Sequence, residues 1–178
     1  SGALPAPLEV LEERTVGAGL GADSIREGIF ASVVGLIAVV AFMIAAYGLF
    51  GIFTTITVFI NLFLMLGILS MIGATLTLPG IAGIILTIGM AVDANVLIFE
   101  RMREEVKNGR STKDAAEAGF TEVWATILDS NLTTLVAAIV LFYFGSGPVR
   151  GFAVTLAIGI ATSMFTSVTV TRLIIASW

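Results

Sequence analysis

Residues 78–100 read LPGIAGIILTIGMAVDANVLIFE, an apolar run with one carboxylate, Asp93, set well inside it. A helix crosses a bilayer with about 20 predominantly apolar residues, so this run is long enough to span. A carboxylate at membrane depth is costly. It usually faces a bundle interior or an aqueous path, which makes Asp93 the first candidate functional residue.

The rest of the 178-residue chain has the same character, being 57% hydrophobic and 12% charged, whereas a soluble domain is roughly a quarter charged. Its mean hydropathy is +1.05. Four more stretches reach spanning length, and with the first they predict an all-α membrane protein with helices at residues 29–50, 52–74, 78–100, 123–144 and 149–177. The fourth needs an argument. Its clean apolar run, residues 132–144, is too short to cross, and extending it back through VWATILDSN takes Asp129 and Asn131 into the membrane. Residues 48–51 and 145–150 are the only breaks between the first and last pairs, and connections this short make antiparallel neighbours.

Five of the nine basic residues fall in residues 101–122, which puts that loop in the cytoplasm by the positive-inside rule. Within the loop, Ser111 followed by Asp114 has the form of a capping box and opens a short helix through TKDAAEAG. Residues 1–22 are rich in Gly and Pro and are expected to be a remnant of an extracytoplasmic domain or a linker, with LEVLEERTV as one strand. The transmembrane domain then occupies 23–178, its first helix capped at Asp23 or Ser24. The opening residues carry no basic segment followed by an apolar core, so no cleaved signal is read there, and a larger parent protein is expected.

Several functions are disfavoured by composition. Cysteine and histidine are absent, which removes thiolate chemistry and histidine-bearing metal sites. No nucleophile and base arrangement, cofactor motif or acidic metal cluster is visible, so no enzyme is expected. A net charge of −4 with no basic stripe outside one loop argues against nucleic acid as a partner.

Eight residues separate Asp93 from Arg101, or about 12 Å at the helical rise, and Asp129 lies about 10 Å inside Glu122 on the next, antiparallel helix. The two carboxylates therefore sit at similar depth. Gly89 and Leu97 share the face of Asp93, and Asn95 lies on another. Asn95, Asp129, Asn131, Thr133 and Thr162 are candidates for a polar core supporting Asp93. Gly89, Gly147, Gly151, Gly159 and Ser163 form small-residue patterns suited to close helix packing. A carboxylate reachable alternately from either side of a membrane is a proton carrier, each proton yielding about 2.3 kcal/mol per 100 mV. The alternative is a neutral Asp93 hydrogen-bonded to a hydroxyl such as Thr133 or Thr162.

Five strings carry a resemblance: LEERTVGAGLGADSI (11–25), LPGIAGIILTIGMAVDANVLIFERMREE (78–105), NGRSTKDAAEAGF (108–120), ILDSNLTTL (127–135) and GPVRGFAVTLAIGIATSMFTSVTVTR (147–172). With them the chain resembles the membrane part of the SecD/SecF protein-export family, on its SecD side. The resemblance implies five helices of an RND-type six-helix half, with the family's first helix and periplasmic domain absent. It implies a bacterial inner-membrane subunit that couples proton or sodium flow to late-stage preprotein translocation. Asp93 corresponds to the family's intramembrane aspartate in DANV, and Asp129 and Asn131 to a polar motif. SecF, the SecYEG translocon, YajC and the preprotein are the implied partners, besides membrane lipid. Two other functions stay open: a passive membrane scaffold for partner subunits, and a proton-coupled small-molecule exporter of the RND superfamily.

Overall fold

The computed structural model describes residues 18–74 and 76–177, and side chains from residue 23 to 176 apart from 75. The strand expected in residues 8–16 lies outside that range. Every described element is helical: α1 (Ala18–Tyr47), α2 (Leu49–Met71), α3 (Leu78–Lys107), α4 (Thr112–Phe144), α5 (Pro148–Phe165), a π-helical turn (Thr166–Val170) and α6 (Thr171–Ser177). α5, the π turn and α6 run on as one span, so five helical segments are long and apolar enough to cross a membrane.

Local chemistry sets the ends. Thr77 is extended and its hydroxyl accepts from the Gly80 amide at 3.2 Å, with Pro79 in the first turn, where its missing N–H costs nothing. Ser111 caps α4 from both sides, accepting from the Asp114 amide at 3.2 Å and donating to the Asp114 carboxylate at 2.6 Å. α1 and α2 are joined through Gly48 alone, at φ 56, a left-handed conformation that glycine adopts without a Cβ penalty.

Three boundaries differ from expectation. α1 begins at Ala18, so no break falls between residues 22 and 23. Residues 101–122 are mostly not a loop: α3 runs to Lys107 and α4 starts at Thr112 as one uninterrupted helix through Phe144. Helix propagation is cooperative, so a capped amphipathic turn abutting an apolar helix continues it rather than forming a separate element.

α3 is the hub. Half of its apolar window is buried, as is half of the α5–α6 window, against 6% for α1. Met43, Val58, Met65 and Leu69 close on Ile84, Ile88 and Val92 between α1, α2 and α3. Ala94, Ile98, Phe99 and Met102 pack on Val123 and Ile127 of α4, and Ala138 meets Leu156 and Ile160 of α5. In lipid, apolar side chains gain little by leaving the solvent, so close backbone approach must hold the bundle. α3 and α5 supply it: a Cβ on Gly151 would stand 2.6 Å from the Thr77 hydroxyl, and one on Gly159 would collide with Thr87. Gly147 does something else. It is the cap residue of α5 at φ 46 with open space where a side chain would go, so the expected Gly147–Gly151 packing pair is one turn residue and one packing residue.

Candidate functional site

Asp93 points away from the five-helix core. On its helical turn Ala91, Val92, Ala94 and Asn95 are buried, whereas Asp93 is exposed on a stripe continued by Leu86, Leu97 and Glu100. Gly89 shares that stripe, and a Cβ built on it would meet nothing within 4 Å. Among the described residues Gly89 therefore packs against no neighbour, contrary to expectation, and leaves a shallow opening one turn from the carboxylate. Among the described residues no hydrogen bond reaches Asp93. The two hydroxyls considered as its partners are engaged elsewhere: Thr133 donates to the Asp129 carbonyl at 2.9 Å and Thr162 to the Gly159 carbonyl at 3.1 Å.

Asp129 and Thr133 also lie on the outside of the bundle, not in its core. Together with Thr126 and Ser130 they line a hollow of about 570 Å³ formed by α4 alone, to which Asp93 does not contribute. Asn131 turns the other way, is buried, and donates to the Ile127 carbonyl at 2.8 Å. Ser163 and Thr162 are buried on α5, the Ser163 hydroxyl donating to the Ile160 carbonyl at 3.0 Å. The two carboxylates thus share an orientation, outward, without sharing a pocket.

Behind Asp93 lies a buried polar layer. Asn95, fully buried, accepts at 2.9 Å from the Thr171 hydroxyl, which lies 3.2 Å from that of Thr57. A hydroxyl has one proton: that of Thr171 goes to Asn95, and that of Thr57 is shared between the Phe53 carbonyl at 3.0 Å and the Thr171 oxygen. Thr54, Asn61 and Ser167 are buried as well. Among the described residues the Thr54 and Ser167 hydroxyls, Asn61 Oδ1 and Asn95 Nδ2 have no hydrogen-bond partner. Unmade bonds in a buried site cost about 1–3 kcal/mol each, which makes this layer the least satisfied part of the interior. It abuts the π turn, where the helical hydrogen-bond register changes. Thr54, Thr57 and Asn61 recur at three- and four-residue steps on α2, a periodicity readable in the chain. Nothing in that spacing says that the face meets Asn95 and Thr171.

At one end the bundle is tied by charge. Arg101 meets Glu104 at 2.6 Å, Glu105 at 2.7 Å and Glu122, while Arg110 meets Glu105 at 2.9 Å. The Glu105 side chain is only 4% exposed, so its pairs hold the end of α3 to the turn that follows it more firmly than surface pairs do, and the more exposed Arg101–Glu122 pair is the one that joins α3 to α4. Among the described residues no group of three or more acidic side chains is placed to hold a metal ion.

Comparison with known proteins bears on this arrangement. Residues 4–178 match the family model described as protein export membrane protein SecD/SecF, C-terminal. The chain is 56% identical over 178 residues to the protein translocase subunit SecD of Rhodobacter capsulatus, covering all of this chain and 32% of that protein. With SecD of Haemophilus influenzae it is 52% identical over 176 residues, 98% of this chain and 29% of the relative. The crystal structure of SecDF from Thermus thermophilus, a translocon-associated membrane protein, superposes with a TM-score of 0.92 at 44% identity, over 98% of this chain and 24% of that one. The chain spans about a third of the length of the curated relatives it matches. An all-helical, multi-pass membrane fold with the sequence of this family over nearly its whole length means that the chain belongs to the SecD/SecF protein-export membrane family.

Proposed function

We propose that this chain is the membrane-embedded part of a SecD-type accessory subunit of Sec-dependent protein export in the bacterial inner membrane, coupling proton or sodium flow to late-stage preprotein movement through Asp93. One observation carries the reading. Asp93 stands exposed on an otherwise apolar stripe of the hub helix, without a hydrogen bond among the described residues and beside the open face at Gly89. A carboxylate so placed is tolerable at membrane depth only where another protein surface or water meets it. SecF is the partner that would bring that surface, with SecYEG, YajC and the preprotein as the wider assembly. The basic cluster at residues 101–122 faces the cytoplasm in this reading. Asn95 and the buried layer behind it hold the turn that presents Asp93. A purely adhesive role for the carboxylate is the competing reading.

Asp93→Asn separates them, because it keeps hydrogen-bonding capacity and removes ionisation. In vesicles holding the full-length subunit with SecF and the translocon, the substitution is expected to preserve complex recovery and abolish the stimulation of export by an imposed ion gradient. Gradient-stimulated export at the wild-type rate would sink the proposal.

A further inference from the structure

At the charged end of the bundle the termini of all five spans border a half-open cavity of about 860 Å³. Its wall is apolar and largely aromatic, formed by Tyr47, Phe50, Phe99, Met102, Phe120 and Ile175. The Phe99 ring lies 5.1 Å from that of Phe50 and 6.1 Å from that of Tyr47, so the wall is a packed aromatic surface. Three cations from three elements line the same cavity, Arg103 of α3, Lys113 of α4 and Arg172 of α6, against one carboxylate, Glu117.

The cations of this end fall into two groups. Arg101 and Arg110 are consumed by Glu104, Glu105 and Glu122. Among the described residues Lys113 and Arg172 make no ion pair, and Arg103 reaches only Glu100, at 3.8 Å with both side chains more than half exposed, a contact of little worth. Of the cations at this end left without a strong partner among the described residues, Arg103, Lys113 and Arg172 line the cavity and Lys107 does not. Arg172, next to Thr171 and before Ile175, enters the cavity from its membrane side, whereas Arg103 lies four residues after Phe99 on α3 and Lys113 seven before Phe120 on α4, so these two charges stand about 6–10 Å further out along their helix axes than the aromatic wall. Headgroup and acyl chain of a phospholipid are layered in that order.

We infer that this cavity is a binding site for an anionic phospholipid, its phosphate held by Arg103, Lys113 and Arg172 and the upper part of an acyl chain laid on Phe50, Phe99 and Phe120. Basic pockets between transmembrane helices at the membrane boundary recognise anionic headgroups in this way. An isolated apolar groove would fit many occupants. Three cations against one carboxylate on an apolar wall, two of them beyond that wall, select a lipid with net negative charge over a zwitterionic one. The inference rests on the membrane-spanning arrangement and not on coupling through Asp93, and its test reads lipid rather than export, so either can fail alone.

The test uses the full-length protein with its partner subunit in nanodiscs of phosphatidylcholine containing graded phosphatidylglycerol of the same acyl chains. Lipid retained after mild extraction is read by native mass spectrometry. Wild type is expected to retain phosphatidylglycerol in preference to phosphatidylcholine, and Lys113→Gln with Arg172→Gln to weaken that preference about fivefold per charge removed. Lys113→Arg with Arg172→Lys, which keeps the charge, is expected to keep the preference. Equal retention of the two lipids by wild type overturns the inference, as does an unchanged preference in the double glutamine variant. Displacement of phosphatidylglycerol by soluble glycerol phosphate at comparable concentration overturns the acyl-chain half of the site. A photo-crosslinker at Phe120 that captures protein instead of lipid overturns the occupant.

Discussion

Gly159→Ala tests whether close backbone approach between α3 and α5 holds the bundle together. A Cβ at Gly159 would meet three atoms of one side chain, Thr87: Oγ1, Cγ2 and, at 2.8 Å, Cβ itself. Thr87 cannot swing aside, because it is fully buried and its hydroxyl donates to the Gly83 carbonyl at 2.7 Å. The helices must then part, and overpacking of this kind costs about 1–3 kcal/mol. Thr87→Ala deletes the two closest atoms and leaves the contact at 2.8 Å, which a shift of a few tenths of an ångström relieves. Hence Gly159→Ala is expected to cost about 1–3 kcal/mol in the wild-type background and less than half of that beside Thr87→Ala. Reversible unfolding of the full-length protein in mixed micelles, followed by circular dichroism over a denaturing-detergent titration, measures all four corners of the cycle. Equal cost of Gly159→Ala in both backgrounds would refute the packing argument, since the collision would then not lie between these two residues.

Two other outcomes follow from named contacts. Thr171→Val keeps the shape of a buried side chain and removes its bonds to Thr57 and Asn95, so it is expected to cost about 1–3 kcal/mol. In the same unfolding assay Thr57→Val should cost less beside Thr171→Val than alone, and strict additivity would contradict the shared hydroxyl chain. Ser111→Ala removes the α4 cap and should destabilise the start of that helix by about 0.5–2 kcal/mol, read as faster amide hydrogen exchange at residues 112–115 with the exchange of α5 unchanged.

Much of the fold was legible because its determinants are local. Five apolar segments, Pro79 opening α3 and the Ser111–Asp114 cap all depend on residues within one turn or one span of each other. The third helix extends beyond the expected span for a related reason. Hydropathy marks where the bilayer would stop, whereas the helix stops where backbone bonding stops, and α3 and α4 carry their hydrogen bonds out to Lys107 and back from Thr112. Gly147 and Gly151 illustrate a second limit. Identical residues four apart serve a turn and a helix crossing, and only the path of the chain around them distinguishes the two.

The sequence by itself determined that a carboxylate lies within an apolar helix of spanning length, with Gly89 and Leu97 on its face and Asn95 off it, because helical periodicity relates neighbours on one element. Which of those faces turns inward was decided by tertiary structure alone. Asn95 faces Thr57 and Thr171, while Asp93, Asp129 and Thr133 face out. The physical reason is that periodicity fixes angles around one axis. The partner of each face is set by how Ile84, Ile88, Ile98 and Met102 fill the space between separate helices, and that is a property of all of them packed together.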